Sequence, residues 1–412
     1  MTSITTPAAA SDGKFRSDWA TLGPWYAAEI LNSFSVLLAV NGTYFYARYH
    51  LHVSAATLLW LPVCGGVPYV LAALLAGRIA DRIGQRKLIQ IMQVLNIPVF
   101  VLGAWAVYQQ SLGLLFLLII LINLTSTMIW PAVESAITRS PGRMKLSSRL
   151  TVYNFVWACG NFSAMCIGGS IADWLSWPMV FILAGVASLT GWLVVLFLAV
   201  KQTEIGAHHA ADSSQAETPP GLADSVRGKT LLKMAWLSNL LAYVCVNTVL
   251  PLMPRVTSGL HISSYAVATA IGSVWAFVRI GGFVLAWFWK GWHYKVRWML
   301  FSFVGLAAAT ILIITASSVA EMLIAQMLLG VATAMLYSGS LYYAMHLSHG
   351  SNENAGKHEA IIGMGTVVGP AVAALSGTPN ALAPKALAIG VLLVVGGLFL
   401  GRWGYIAKGH RS

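Results

Sequence analysis

Residues 178–200 read PMVFILAGVASLTGWLVVLFLAV, with no charge and no side-chain amide, and runs of this kind recur along the chain. A helix that crosses a bilayer takes about 20 mostly apolar residues, since in hydrocarbon the backbone must bond to itself. Strands crossing a membrane would instead alternate apolar and polar residues in segments of about 10, so a barrel is excluded. Apolar windows set against charged breaks predict helices over 22–46, 56–77, 88–109, 113–137, 150–172, 178–200, 232–254, 264–288, 295–315, 320–346, 359–377 and 384–404. Only 9% of residues are charged, against roughly 25% in soluble domains. Soluble enzymes and disulfide scaffolds are thereby excluded. Cys64, Cys159, Cys166 and Cys245 lie inside apolar runs and read as small core residues rather than a framework or a metal site.

The polar stretch 201–231, with Pro219–Pro220 and the adjacent His208 and His209, separates two sets of six helices. The expected organisation is an N-terminal segment 1–21, a first bundle 22–200, this linker, a second bundle 232–404 and a tail 405–412. The 17 residues that open the chain are polar, and the apolar stretch after them is too long and too aromatic for a signal-peptide core. The histidine pair reads as solvated, and no metal or cofactor is expected.

Of the 25 Lys and Arg, 21 fall in the two ends and in alternate loops, Arg48, Arg255 and Lys385 face the other side, and Arg279 lies within a helix. Cytoplasmic loops retain positive charge, so both termini and the linker are expected in the cytoplasm. The net charge of +12 is then a topology signal and implies no nucleic-acid partner. The expected setting is a bacterial inner (cell) membrane, as a monomer in lipid.

Polar side chains are uneven. The sixth, ninth and twelfth helices have almost none, which points them at lipid. Elsewhere polar residues recur every three or four positions, spacings that share one helix face. The series are Asn123, Thr127 and Trp130; Tyr153, Trp157 and Asn161; Asn239, Tyr243 and Asn247; and Ser338, Tyr342 and His346. Such stripes either join helices or line a wet cavity. Their recurrence in both halves favours a cavity, and Asn32 is added to its expected lining. Arg279 is 11 residues from Lys290, hence roughly 16 Å deep. A charge there costs about 2.5–3.5 kcal/mol or more. It either pairs with Glu29 or with carbonyls near Gly281 and Gly282, or it faces the cavity beside Trp275 and grips a substrate carboxylate, phosphate or polar oxygen.

After the second helix comes Gly77-Arg78-Ile79-Ala80-Asp81-Arg82-Ile83-Gly84-Gln85-Arg86-Lys87. This resembles the signature loop of the major facilitator superfamily, whose pattern runs glycine, three residues, aspartate, arginine, one residue, glycine, then basic residues. The resemblance implies an all-α integral membrane protein with twelve transmembrane helices in two pseudo-symmetric six-helix bundles, rocking about a midplane site. It gives Gly77, Asp81, Arg82 and Gly84 a gating role, with Asp81 capping the eleventh helix, while Arg86 and Lys87 read as positive-inside anchors. The matching stretch 290–297 lacks the aspartate. Drug–proton antiporters of the superfamily carry a Gly-Pro motif in the fifth helix, where this chain has Cys159-Gly160-Asn161-Phe162-Ser163. Gly363, Gly365, Gly369 and Pro370 mark the eleventh as a closely packed, kinked helix.

Two alternatives stay open for Glu134 with His346, Lys357, His358 and Glu359: a cytoplasmic gate of opposite charges, or interfacial residues in water. The expected function is secondary transport of a small polar or anionic organic solute by alternating access, as a symporter driven by a proton or solute gradient, since no nucleotide-binding loop is present; a proton is the candidate coupling partner. Proton-coupled efflux of amphiphilic compounds is the alternative. Glu29 and Glu134 read as too near the cytoplasmic edge to serve it. An intramembrane enzyme or a sensor is remote, because no aspartate lies inside an apolar run.

Overall fold

The computed structural model describes residues 8–140, 144–198, 225–347 and 352–409. Its helices are α1 (Ala8–Tyr49), α2 (Ala55–Ile83), α3 (Gln85–Tyr108), α4 (Leu112–Ser126), α5 (Ile129–Arg139), α6 (Leu146–Trp174) and α7 (Trp177–Phe197). After the linker follow α8 (Val226–Gly259), α9 (Tyr265–Gly272), α10 (Val274–Phe288), α11 (Val296–Ile314), α12 (Val319–Leu347), α13 (Asn352–Leu375) and α14 (Leu382–Gly409). Among the described residues eleven spans are long and apolar enough to cross a membrane. The twelfth crossing is α1, whose hydropathy is diluted by Glu29, Asn32, Ser33, Ser35, Asn41 and Thr43. The protein is a multi-pass integral membrane protein.

Two predicted helices are broken in the middle. The fourth divides into α4 and α5 at Thr127–Met128, because Pro131 has no N–H to offer the carbonyl of Thr127. The eighth divides into α9 and α10 at Ser273, whose Oγ donates to the Ala270 carbonyl at 2.7 Å and so competes with the helix ladder. Helix starts follow side-chain caps: Ser54, Ser111, Ser225 and Ser264 each accept from the N–H three residues on. Helix ends draw on basic residues. Arg149 donates to the carbonyls of Ile137 (3.1 Å) and Ser140 (2.6 Å), Arg86 to Val195 (3.3 Å) and Leu196 (2.7 Å), and Lys385 to Ser376 (3.0 Å) and Thr378 (3.2 Å). Cations at helix C-termini meet carbonyls that the ladder leaves free. Arg86 is therefore a cap as well as a membrane anchor.

Helices α1–α7 form one bundle and α8–α14 the other. Within the first, α1 packs on α6 and α7, and α3 on α7; within the second, α12 packs on α10 and α11, and α8 on α14. Between the halves α2 meets α13, and α6 meets α9 and α10. The nearly apolar helices α7, α11 and α14 expose residues such as Val186, Leu193, Phe301, Val304, Leu387 and Leu398, the surface expected against lipid. Close packing of α13 rests on glycine. A Cβ on Gly365 would stand 2.9 Å from the backbone of Tyr243 and Val244, and this approach sets α13 against α8 beside the site.

Candidate functional site

A cavity of about 140 Å³ lies between the halves. From the first bundle α2 brings Tyr69, α4 Asn123, α5 Trp130, and α6 Tyr153, Trp157 and Asn161. From the second, α8 brings Tyr243 and Asn247, α10 Trp275 and Arg279, α12 Tyr337, and α13 Glu359 and Thr366. Nine of the predicted lining residues are thus on the wall. Asn32, Thr127 and Asn239 are buried elsewhere in their own halves. Ser338 and Tyr342 line a different cavity. Tyr44, Tyr69, Tyr337 and Thr366 were absent from the sequence reading. Tyr337 is one residue from Ser338, a rotation of about 100° on a helix, so the stripe chosen on α12 was one position off the inward face.

Arg279 is 4% exposed. Its guanidinium carbon lies 4.6 Å from the ring centre of Trp157, 5.2 Å from Tyr337, 5.3 Å from Phe283, 5.8 Å from Tyr243 and 6.0 Å from Trp275. Ring faces attract cations. Nη2 donates to the Tyr243 hydroxyl at 3.4 Å, Nε has no partner, and among the described residues Arg279 forms no ion pair. It bonds neither Glu29 nor the carbonyls at Gly281 and Gly282, the permanent partners left open above. Gly330 lets α12 pack close against α10 where Arg279 is carried: a Cβ there would stand 2.5 Å from the Trp275 carbonyl oxygen and 3.0 Å from the Arg279 backbone nitrogen.

Below the cavity three carboxylates converge. Glu29, Glu134 and Glu359 are 0%, 1% and 4% exposed. Tyr69 donates to Glu359 at 2.6 Å and Ser33 to Glu29 at 2.7 Å, while neither oxygen of Glu134 has a partner. The expected gate of opposite charges belongs to the state open at the other end; in this one Glu134 faces two other acids. His358 is fully buried, 3.3 Å from Ser340 Oγ and edge-on to Tyr337. Lys357 is exposed, and the His346 side chain lies outside the described residues. Water at an interface does not bathe Glu29 or Glu134 either, because neighbouring helices enclose them. Their distance along the chain from the basic loops misled the sequence reading.

The family model of the Major Facilitator Superfamily matches residues 25–292, well over half of the chain. The chain belongs to that superfamily. Solved structures agree in fold. One, from "Structural insights into substrate recognition in proton dependent oligopeptide transporters", is similar with a TM-score of 0.68 at 13% identity, covering 95% of this chain and 98% of that one. Another, the nucleoside transporter NupG, has a TM-score of 0.65 at 16% identity, covering 92% and 98%. No curated protein matches the sequence.

In this facilitator-superfamily transporter the halves are sealed at the end that carries Arg48 and Arg255. Tyr49 donates to the Ile262 carbonyl (2.9 Å), Arg48 to Ser258 (3.3 Å), and the Gly169 N–H to Thr269 (3.1 Å). Asp173 of α6 accepts from Ser264 Oγ (3.0 Å) and the Ala266 N–H (2.8 Å), at the N-terminus of α9. Tyr265 packs into Trp177 at 4.9 Å. Toward the opposite, basic end a second cavity of about 110 Å³ opens between Lys145, Asn154, Phe283, Lys290, His293, Ser338 and Tyr342. Three rings stand between the two cavities: Trp157 stacks on Tyr337 at 5.5 Å and 12°, and Phe283 closes on both at 6.2 and 5.8 Å.

The superfamily loop joins α2 to α3 through a single residue, Gly84, at φ 88° and ψ 142°, a conformation open essentially to glycine. Asp81 lies 3.6 Å from Arg139 at the end of α5, and Arg82 and Gly77 sit on the same stretch of α2. The side chains at the start of α13, which Asp81 was expected to cap, lie outside the described residues.

Proposed function

We propose that this transporter carries a small anionic organic solute through the central cavity by alternating access, as a secondary active symporter, with Arg279 as the group that holds the anion. The observation that carries this is a buried guanidinium on the cavity wall with an unused Nε and, among the described residues, no carboxylate partner. Burial of an ion costs several kcal/mol, and five ring faces return only part of that. An anion would complete the site in the bidentate manner that suits arginine. Asn123, Asn161 and Asn247 supply amides for the solute's other polar groups, and the rings supply its apolar contact. The two structures of like fold bear names of peptide and nucleoside transporters, solutes of a size that fits this reading. With the basic end in the cytoplasm, as the charge bias suggests, the sealed end faces outward and the second cavity is the cytoplasmic approach. Both termini are then cytoplasmic, and a single chain contains the whole pathway.

Efflux of amphiphilic cations is the competing reading, favoured by the aromatic wall and by Glu359 on it. Against it, Tyr69 occupies Glu359 at 2.6 Å. Thermal shifts of the purified protein against panels of organic anions and organic cations separate the two, since a ligand that binds only the folded state raises apparent stability. Anions are expected to stabilise. Arg279→Lys should stay folded yet lose roughly ten- to hundredfold in affinity, because a charged hydrogen bond is worth about 1.5–3 kcal/mol. Stabilisation by cations alone, or an Arg279→Lys protein with wild-type affinity for the anion, refutes the assignment.

A further inference from the structure

Three carboxylates meet where no positive charge answers them. Glu29 of α1, Glu134 of α5 and Glu359 of α13 each lie within electrostatic reach of the others. Both oxygens of Glu134 and Oε2 of Glu29 end in protein with no donor. Tyr153 stands beside Glu134 and Trp130 beside Glu29, neither in hydrogen-bond geometry.

Among the described residues none of the three acids forms an ion pair: Arg139 of α5 pairs with Asp81, Arg149 of α6 donates to the carbonyls of Ile137 and Ser140, and Lys357, two residues before Glu359 on α13, is exposed. Tyr69 comes from α2, Tyr153 from α6, and His358 sits next to Glu359 on α13. From α3, Gln85 reaches Ser135 at 3.2 Å, while Arg86 is turned to the carbonyls of α7. Neither α4 nor α7 has a titratable side chain. On the cavity wall Tyr243 and Tyr337 each lie within electrostatic reach of Arg279 and of Glu134 and Glu359. Three negative charges in one buried cluster are not a viable state, since each desolvated carboxylate costs several kcal/mol and like charges repel. Among the described residues no group of three His, Cys, Asp or Glu side chains is placed to hold a metal ion. The counter-ion that fits is the proton.

We propose that Glu29, Glu134 and Glu359 form a proton-binding site of the transport cycle, with Glu134 the carboxylate that takes up and releases the proton and Tyr337 the link to the anion on Arg279. Glu359 lines the cavity, so the proton arrives from water by the opening the solute uses. It binds a carboxylate oxygen and leaves from the same oxygen to water. The Tyr337 ring lies 5.2 Å from the guanidinium and within electrostatic reach of Glu134 and Glu359. An anion on Arg279 cancels the positive charge that Tyr337 faces on the cavity side and favours proton uptake by the acids. Loss of the proton then weakens the hold on the anion. The coupling rests on the transport reading above; the proton site itself does not, and the test reads protonation directly.

Infrared difference spectra of the purified protein in lipid nanodiscs, recorded across pH steps in H₂O and D₂O, should show the carbonyl stretch of a protonated carboxylic acid. That band should shift in D₂O and bleach as pH rises. Glu134→Gln should remove most of it, while Glu29→Gln and Glu359→Gln should move its midpoint. In Arg279→Gln the band should persist to higher pH, because the positive charge on the far side of Tyr337 is gone. Elution as a single species and wild-type helical circular dichroism check that each variant folds. No protonated-carboxyl band at any pH, or a band unchanged in all three folded glutamine variants, overturns the proton site. A midpoint unmoved by Arg279→Gln overturns the link. If the band behaves as expected in a protein that binds no anion, the transport reading fails and the proton site stands.

Discussion

Asp173→Ala should open the sealed end. The Asp173 carboxylate is the one acidic group that reaches from α6 across to the N-terminus of α9, taking the Ala266 N–H at 2.8 Å and Ser264 Oγ at 3.0 Å. A negative charge at a helix N-terminus contributes about 0.3–1 kcal/mol. The hydrogen bonds add about 1 kcal/mol, discounted because the residue is exposed. Together they favour the sealed state by about 1–2 kcal/mol, a factor of roughly 5–30 in a two-state ratio. Asp173→Asn keeps one acceptor oxygen and should shift the ratio by less. The assay is electron–electron resonance distance measurement between spin labels on Gln109 and Ala320, exposed positions at this end on opposite halves, with the four native cysteines replaced. A longer distance should gain population in Asp173→Ala and, to a smaller extent, in Asp173→Asn. Identical distance distributions in wild type and Asp173→Ala would show that the contact follows closure without supporting it.

Trp157→Ala removes the only ring that the first bundle contributes to the partition, so a cysteine at Asn247 in the cavity should react faster with a polar thiol reagent added from the basic side; an unchanged rate would mean that Phe283 and Tyr337 suffice. Gly84→Ala forces a side chain into φ 88° and should destabilise the protein by about 1–3 kcal/mol, read as a lower melting temperature. A wild-type melting temperature would show that the α2–α3 joint relaxes without strain.

The division into two bundles was legible because apolar run length is a direct consequence of bilayer thickness, and the loop signature gave the superfamily. Arg279 was legible for the same reason: one charge in a long apolar run has to be explained. The breaks at Thr127 and Ser273 were harder to see, since a proline or serine in a continuous apolar run marks a kink only once its neighbours are placed. The acid trio was not legible. Glu29, Glu134 and Glu359 are far apart in sequence and each lies near a basic stretch, so depth counted along one helix assigned them to the interface. Their burial comes from three helices of two bundles closing over them, a relation that no single helix encodes.

The two closures differ in chemistry, and this bears on what can drive the cycle. The sealed end is held by hydrogen bonds that water can replace almost isoenergetically, each worth about 0.5–1.5 kcal/mol net. The partition is three rings, whose pairs contribute about 0.5–1.5 kcal/mol beyond their burial. Neither closure dominates by more than a few kcal/mol, which is the condition for a ligand to tip the balance, since moving an equilibrium from 1:99 to 99:1 takes about 5.5 kcal/mol of differential binding. Arg279 lies against all three rings of the partition, and Tyr337 is also within electrostatic reach of the acids. On the reading proposed above, occupation of the anion site and of the proton site would act on the same rings. An anion on Arg279 would draw the guanidinium away from Trp157 and Tyr337, and a proton on Glu134 would remove a charge within reach of Tyr337. Either event alone alters one face of the stack. Both together relieve it of competing charge, so the barrier between the cavities responds to the loaded state rather than to one ligand.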